Sequence, residues 1–263
     1  MRGEFLQWIV ARKKAEIAQA KLRVPEEVLR TRAAVAAPPR DFLAAMQGGP
    51  PIRLIAELKK ASPSQGLLRA DYHPEIIAQI YAQHGAACLS VLTDTDFFQG
   101  SLNDLQRVRA AVDLPILRKD FILDPYQVLE ARAAGADAVL LIAECLDDDA
   151  LIHLYQEVLA WGMTPLVELH QAENLLRVLR LQPSLIGINN RNLHTFQVDL
   201  EQAIRLRPKI PPGCLVVAES GIRTRQDVLR LQEAGIQAML VGEAFMTQPD
   251  IGAAVDQIGR AHV

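Results

Sequence analysis

The chain has 263 residues, half of them hydrophobic, which suffices for a large core and lies close to the ~250 residues of one β/α barrel, although two smaller domains also fit the length. A formal net charge of −3 supplies no basic field for a phosphodiester backbone, so nucleic acid is not an expected partner. Cys88, Cys145 and Cys214 are odd in number, far apart and mostly set in apolar runs, which argues against a disulfide framework and for buried thiols in a reducing, cytoplasmic setting.

In chain order, residues 1–47 read as a helical extension ahead of the first strand. Trp8, Ile9, Ala11, Ala15 and Ile17, mixed with Arg12, Lys13, Lys14 and Glu16, give an amphipathic helix. Pro38-Pro39 then interrupts the chain, and Asp41-Phe-Leu-Ala-Ala45 resumes as a short helix. The apolar segment 5–10 is too short to span a bilayer, and basic residues follow it where a cleavage site would need small ones. Neither an export signal nor a membrane span is expected. The extension should pack across one end of the fold, as a stabilising cap or as a cover over a substrate.

After Pro51, short β-type runs alternate with longer stretches of helical periodicity, the pattern of successive βα units. Eight strands are expected, at 52–58, 87–92, 115–118, 138–142, 164–168, 185–189, 215–218 and 238–241. They are apolar nearly throughout, as strands buried on both faces are. Between them, segments such as that from Pro74 to His84 repeat apolar residues every three or four positions. Gly85, Gly135 and Gly235 follow three of these helices and can supply their left-handed ends. The whole chain, 1–263, is therefore read as one α/β domain, a (β/α)8 TIM barrel with an N-terminal helical extension; a doubly wound open sheet is the alternative.

Five of the strands end on charged or amide side chains. Glu57 and Lys59 are in phase with Ile55, Lys119 with Leu117, Glu168 with Leu166, Asn189 with Arg191, and Glu219 with Val217. Any one of them could be a solvated residue or half of a structural ion pair. Five together, with no such pattern at the amino ends, point to a shared polar mouth where a barrel builds its active site. Amines and carboxylates crowded there shift each other's proton affinity and can act as donor and acceptor near neutral pH.

Two glycine turns suggest a phosphate. Ser220-Gly221 follows the seventh strand and Gly242-Glu243 the eighth, where backbone N–H groups commonly cradle phosphate in such barrels. Ser62, on the loop after the first strand, either adds a hydroxyl contact or belongs to a plain turn. Of the six histidines only His170 lies near a strand end, so no metal site is expected. No glycine-rich dinucleotide or P-loop pattern is present, so catalysis without a cofactor is expected. Asp94 and Asp96, after the second strand, either line the rim or, as the preferred assignment, belong to a solvated loop.

These motifs resemble those of the indole-3-glycerol phosphate synthase family. The resemblance spans nearly the whole chain: Ile-Ala-Glu-Leu-Lys-Lys-Ala-Ser-Pro-Ser from Ile55, Leu-Ser-Val-Leu-Thr-Asp from Leu89, Pro-Ile-Leu-Arg-Lys-Asp-Phe-Ile from Pro115, Leu-Val-Glu-Leu-His from Leu166, Ile-Gly-Ile-Asn-Asn-Arg-Asn-Leu from Ile186 and Ala-Glu-Ser-Gly-Ile from Ala218. It implies ring closure of 1-(2-carboxyphenylamino)-1-deoxyribulose 5-phosphate, with loss of carbon dioxide and water. It further implies Lys119 as general acid, Glu168 as general base, Lys59 as a catalytic group that pairs with the substrate's carboxylate or phosphate or shares the acid's duty, Glu57 orienting the lysines and Asn189 holding Glu168 or the substrate. Arg191, Glu219 and Ser220 would complete the substrate lining, with Ser62, Gly221, Gly242 and the Glu243 backbone near the phosphate. Where some relatives carry Ser, this chain has Glu243, whose side chain should turn away. A phosphorylated small molecule, a monomer rather than an oligomer, and neither metal nor cofactor complete these expectations. A related isomerase barrel should instead need a Cys or Asp pair at strands one and five, and a non-catalytic binding barrel would not need both lysines.

Overall fold

The computed structural model describes residues 5–48, 52–192, 195 and 197–259; residues 1–4 of the expected extension lie outside them. Eight strands form the core of the fold: β1 (Arg53–Leu58), β2 (Cys88–Leu92), β3 (Ile116–Lys119), β4 (Ala138–Ile142), β5 (Thr164–Leu169), β6 (Leu185–Asn189), β7 (Leu215–Glu219) and β8 (Ala238–Val241). Each pairs in parallel with its sequence neighbours, and β1 pairs with β8 through Arg53 opposite Ala238 and Ile55 opposite Leu240. That last ladder closes the barrel and rules out an open sheet. β3, β5 and β7 run one residue beyond their expected ends, so Lys119 and Glu219 are themselves strand residues held by backbone pairing.

Alternation sorts the strand side chains into two layers. Ile55, Cys88, Leu117, Ala138, Leu140, Leu166, Leu185, Val217 and Leu240 fill the barrel's interior. Their neighbours, among them Ala56, Leu89, Val139, Val167, Ile186 and Val216, face outward into the packing against the helices. After three helices of the extension, α1 (Phe5–Arg23), α2 (Glu26–Val35) and α3 (Phe42–Met46), the outer ring is α4 (Pro74–Gln83), α5 (Leu102–Ala111), α6 (Pro125–Ala134), α7 (Asp148–Ala160), α8 (Leu175–Leu179), α9 (Glu201–Leu206), α10 (Arg225–Glu233), α11 (Glu243–Met246) and α12 (Ile251–Gly259). α6 stops at Gly135, whose φ of 91° is the left-handed turn that ends the helix before β4.

The extension engages both ends of the barrel rather than one. At the amino end, α3 is capped by Asp41, whose side chain accepts from Ala44 N, and it inserts Phe42 and Met46 beneath the interior layer. Along the side, Leu29 and Ala33 of α2 pack on Tyr126 and Leu129 of α6. At the carboxyl end, α1 places Ile9 over the mouth. Its buried stripe is Ile9, Lys13 and Ile17, while Ala11 and Ala15 face solvent and Trp8 is 57% exposed. The apolar face read from Trp8, Ala11 and Ala15 is thus corrected: four-residue spacing aligns Lys13 with the two isoleucines, and partners on the barrel compensate its charge.

The amino end also carries a buried carboxylate. Asp137, just before β4, accepts from the backbone N–H of Arg40 and of Ile116 and pairs with Arg109 at 2.8 Å. Every partner of Asp137 is an arginine or a backbone amide, an arrangement that ties α3, α5 and β3 together.

Candidate active site

The mouth at the carboxyl ends of the strands is a cavity, and every site residue expected from the sequence lines it: Glu57, Lys59, Ser62, Lys119, Glu168, Asn189, Arg191, Glu219, Ser220, Gly221, Gly242 and Glu243. Alternation explains why. Glu57, Lys119, Glu168 and Glu219 each lie two residues beyond an interior hydrophobe, on the same face of their strands and one layer nearer the opening.

Lys119 is the centre of the arrangement. Its Nζ lies 2.5 Å from Glu168 Oε2 and 2.5 Å from Glu219 Oε2, bridging β5 and β7 across the mouth. Burial alone would drive the ammonium to lose its proton, but Glu168, Glu219 and Glu57 outweigh that effect and raise its proton affinity. Lys59 forms a second pair, 2.7 Å from Glu57 Oε2. Charges this deep are tolerable only when so paired.

The two carboxylates on Lys119 titrate in opposite directions. Burial pushes Glu168 up, yet Lys119 and His170 more than offset it and hold Glu168 well below the ordinary value. Glu219 is pushed well above its ordinary value by burial and by the charge of Glu168, which Lys119 only partly relieves. Glu219 Oε1 is buried without a hydrogen-bond partner, which favours the protonated form further. The two acids on Lys119 thus differ in proton affinity, Glu168 held low and Glu219 held high.

Neighbouring groups fix these side chains. Asn189 Nδ2 donates to Glu168 Oε1 at 3.4 Å, and Asn189 Oδ1 accepts from Arg191 N at 3.1 Å. Gly187 of β6 leaves the space in which the Glu219 carboxylate sits, since a Cβ there would collide with it. Gly242 likewise gives way to Glu57. The sequence reading assigned Gly242 to phosphate, and the structure adds this contact with the acid.

The two glycine turns lie side by side on the rim. Ser220 adopts φ 65° and Gly221 φ 82°, and Asn190 Nδ2 donates to the Ser220 carbonyl. A serine held in the left-handed region is a costly conformation, of the kind that clusters at functional sites. Glu243 does not point into open solvent: it accepts from Arg191 Nη2 at 3.2 Å and from Arg223 Nη2 at 3.4 Å. Ser62 is buried in a two-residue strand pair, 61–62 with 66–67, where its hydroxyl accepts from Gln65 N.

Three features escaped the sequence reading. Asp94 does not belong to a solvated loop: it is fully buried, 2.7 Å from Lys13, which also reaches Asp120 at 3.0 Å. Its neighbour Asp96 pairs with Arg12. The signal was present in the alignment of Lys13 with Ile9 and Ile17. Secondly, Phe98, Phe121, Leu140 and Ile142 give the cavity an apolar wall. Thirdly, His170 stands against Glu168 with its Nε2 2.6 Å from Oε1. It continues the phase of Leu166 and Glu168, so the same alternation would have aimed it inward.

A closed parallel barrel with paired ammonium and carboxylate groups at its carboxyl mouth, beside two glycine turns, defines a β/α-barrel enzyme of the acid–base type. Comparison narrows the class. The indole-3-glycerol phosphate synthase family model matches residues 6–258. The indole-3-glycerol phosphate synthase of Rhodopirellula baltica is 52% identical over 247 residues, covering 94% of this chain and 95% of that one. That of Albidiferax ferrireducens is 52% identical over 259 residues, covering 97% and 98%. Among solved structures, N-acetylmannosamine-6-phosphate 2-epimerase from Clostridium perfringens superposes with a TM-score of 0.61 at 16% identity, covering 80% of this chain and 92% of that chain, a likeness of fold alone. The chain belongs to the indole-3-glycerol phosphate synthase family, and with it to the carboxy-lyases of tryptophan biosynthesis. Among the described residues, no helix is long and apolar enough to cross a membrane.

Proposed function

We propose that this mouth closes the indole ring of 1-(2-carboxyphenylamino)-1-deoxyribulose 5-phosphate by acid–base chemistry of its own side chains, with Lys119 as the acid and Glu168 as the base. The observation that carries the reading is the Lys119 ammonium shared between Glu168 and Glu219, facing the turns at Ser220-Gly221 and Gly242-Glu243 across one cavity. In the first half, the aryl carbon that bears the carboxylate attacks the sugar ketone. Lys119 protonates the forming alkoxide, and the carbon–carboxylate bond breaks to release carbon dioxide and restore the aromatic ring. In the second half, the new hydroxyl leaves as water with a second proton, from Lys59 or from Lys119 once solvent has reprotonated it. Glu168 takes the proton whose loss forms the indole double bond, so carbon dioxide and water are the only by-products.

Several features support the assignment of the remaining groups. Lys59, held by Glu57, is placed to neutralise the substrate's carboxylate or phosphate. Phe98, Phe121, Leu140 and Ile142 offer apolar surface to the anilino ring. Arg191, Ser62 and the backbone at Gly221 and Gly242 would receive the phosphate, with Glu243 keeping Arg191 and Arg223 on the rim. Three unpaired cysteines fit a reducing, cytoplasmic compartment, and a monomer acting without metal or nucleotide belongs to the same reading.

The test is turnover of the carboxyphenylamino substrate by purified protein, followed by indole fluorescence. Lys119→Ala and Glu168→Ala are each expected to lower kcat by about 10²- to 10⁴-fold, while substrate still binds in a fluorescence titration. Full rate in both variants, or loss of activity on adding a chelator, would overturn the assignment.

A further inference from the structure

We infer that His170 is a positioning residue for Glu168: as an imidazolium it fixes one carboxylate oxygen and keeps the base ionised when Lys119 moves to the substrate. The inference rests on the roles just proposed for Lys119 and Glu168. His170 Nδ1 lies 2.9 Å from the Arg191 carbonyl oxygen, which can only accept, so Nδ1 carries a proton. Nε2 lies 2.6 Å from Glu168 Oε1. With Nδ1 committed, a proton must also occupy that second contact, because otherwise two lone pairs would face each other at hydrogen-bond distance. The proton sits either on Nε2, giving imidazolium and carboxylate, or on Glu168, giving a neutral pair.

The surroundings choose between the two. Lys119 Nζ lies against Glu168 Oε2 and favours the carboxylate. Of the other charged groups, Glu144 is nearest, its Oε1 accepting from His170 N at 2.9 Å, while Glu219 of β7 and Arg191 on the loop after β6 line the same cavity. Burial acts against a charged imidazole, but Glu168 and then Glu144 outweigh it and raise its proton affinity. Gln202 Nε2 donates to the carbonyl oxygens of His170 and Asn189, so the backbone carrying the ring is held as well.

This geometry divides the labour between the two oxygens of Glu168. Oε1 is tied to His170 and Asn189 and does not exchange protons with substrate. Oε2 is covered by Lys119 at rest and comes free when that ammonium turns to the sugar oxygen. At that moment Glu168 loses its lysine partner, and without a second cation it would gain proton affinity and take its proton early. His170 is that second cation.

The test uses 15N-histidine-labelled full-length protein, with the His170 signals assigned by their absence in His170→Phe. In wild type both ring nitrogens are expected to carry protons from pH 6 to 8. In Glu168→Gln, His170 is expected to become a neutral ring with its proton on Nδ1 across the same range. A neutral His170 in wild type at pH 7, or no change in Glu168→Gln, overturns the inference whether or not the substrate assignment holds. In kinetics, His170→Phe is expected to lower kcat at least about tenfold with little change in KM, and to move the acidic limb of the kcat–pH profile up by about one pH unit. A wild-type profile in that variant, or an effect confined to KM and melting temperature, reduces His170 to a tether and sinks the proposal. Absence of turnover in wild type defeats the function proposed above and leaves the spectroscopic arm to decide the state of the pair.

Discussion

Lys119 holds two carboxylates within 2.5 Å, and of the two only Glu168 also has His170 against it, so the pair differs in proton affinity. Glu168 is held below the ordinary carboxyl value and Glu219 above it. The raised Glu219 makes the folded state bind more protons than the unfolded chain above the ordinary carboxyl value of 4.5, so its contribution to stability falls as pH rises through that window. The depressed Glu168 acts oppositely: its contribution is present above 4.5 and lost as pH falls through its folded value. Glu219→Gln copies the protonated form and cannot ionise. Urea denaturation of this variant should show a smaller loss of stability between pH 5 and pH 8 than wild type; an identical pH dependence would mean that Glu219 is ionised at rest. The positions of Lys119, Glu168 and Glu219 were legible in the sequence because strand alternation projects them inward from apolar runs. Their protonation was not, because it depends on groups that chain closure brings together from positions 49 and 100 residues apart.

At the scale of the element, strands were more legible than helix faces. A strand buried on both sides writes itself as an apolar run, and at the carboxyl ends only the last residue of β3, β5 and β7 escaped, since backbone pairing runs past the expected ends there. Gly187 is an instance of sequence information waiting for its partner: glycine inside a strand marks close approach, and the approaching group is the Glu219 carboxylate. Gly187→Ala should displace Glu219 from Lys119 and lower kcat by more than KM changes, as steady-state kinetics can show. The face of α1 misled because Arg12, Lys13 and Lys14 look like one solvated run. Only Lys13 turns inward, to partners on the loops after β2 and β3. Lys13→Met keeps the unbranched apolar stem but leaves Asp94 and Asp120 short of a cation, and it is expected to cost about 3–5 kcal/mol in urea denaturation at pH 7. Lys13 is held above 10.5 and Asp120 below 3.8, so the ion pair contributes fully between those values. It fades as pH rises through the lysine's raised value or falls through the aspartate's lowered one. Unchanged stability at pH 7 would show that α1 is only loosely docked.

For the whole molecule, the extension links two regions that the barrel keeps apart: α1 lies over the mouth where the ammonium–carboxylate cluster sits, and α3 closes the opposite end with Phe42 and Met46. The barrel was legible from eight repeated units, and a cap on one end was a fair reading of an amphipathic segment. That the same segment also plugs the other end follows from Asp41 starting a helix whose first residue is a fully buried phenylalanine, a fact of packing that no periodicity in so short a stretch reveals. Separation of the two ends has a measurable consequence. Phe42 touches the interior layer beneath Ile55, Cys88 and Leu117, one layer below the charged mouth and away from every group that meets substrate. Phe42→Ala opens a cavity in that layer and should destabilise the fold by about 3–5 kcal/mol, as a large-to-small change in a packed core does. Since the mouth is built on the far ends of the same strands and held by its own ion pairs, kcat and KM at a temperature where the variant stays folded should match wild type within a factor of about two or three. Thermal melts followed by circular dichroism and steady-state assays at 20 °C would measure both. A large fall in kcat with the fold intact would mean that packing at the amino end sets the geometry of Lys119 and Glu168, and that the two ends act as one unit.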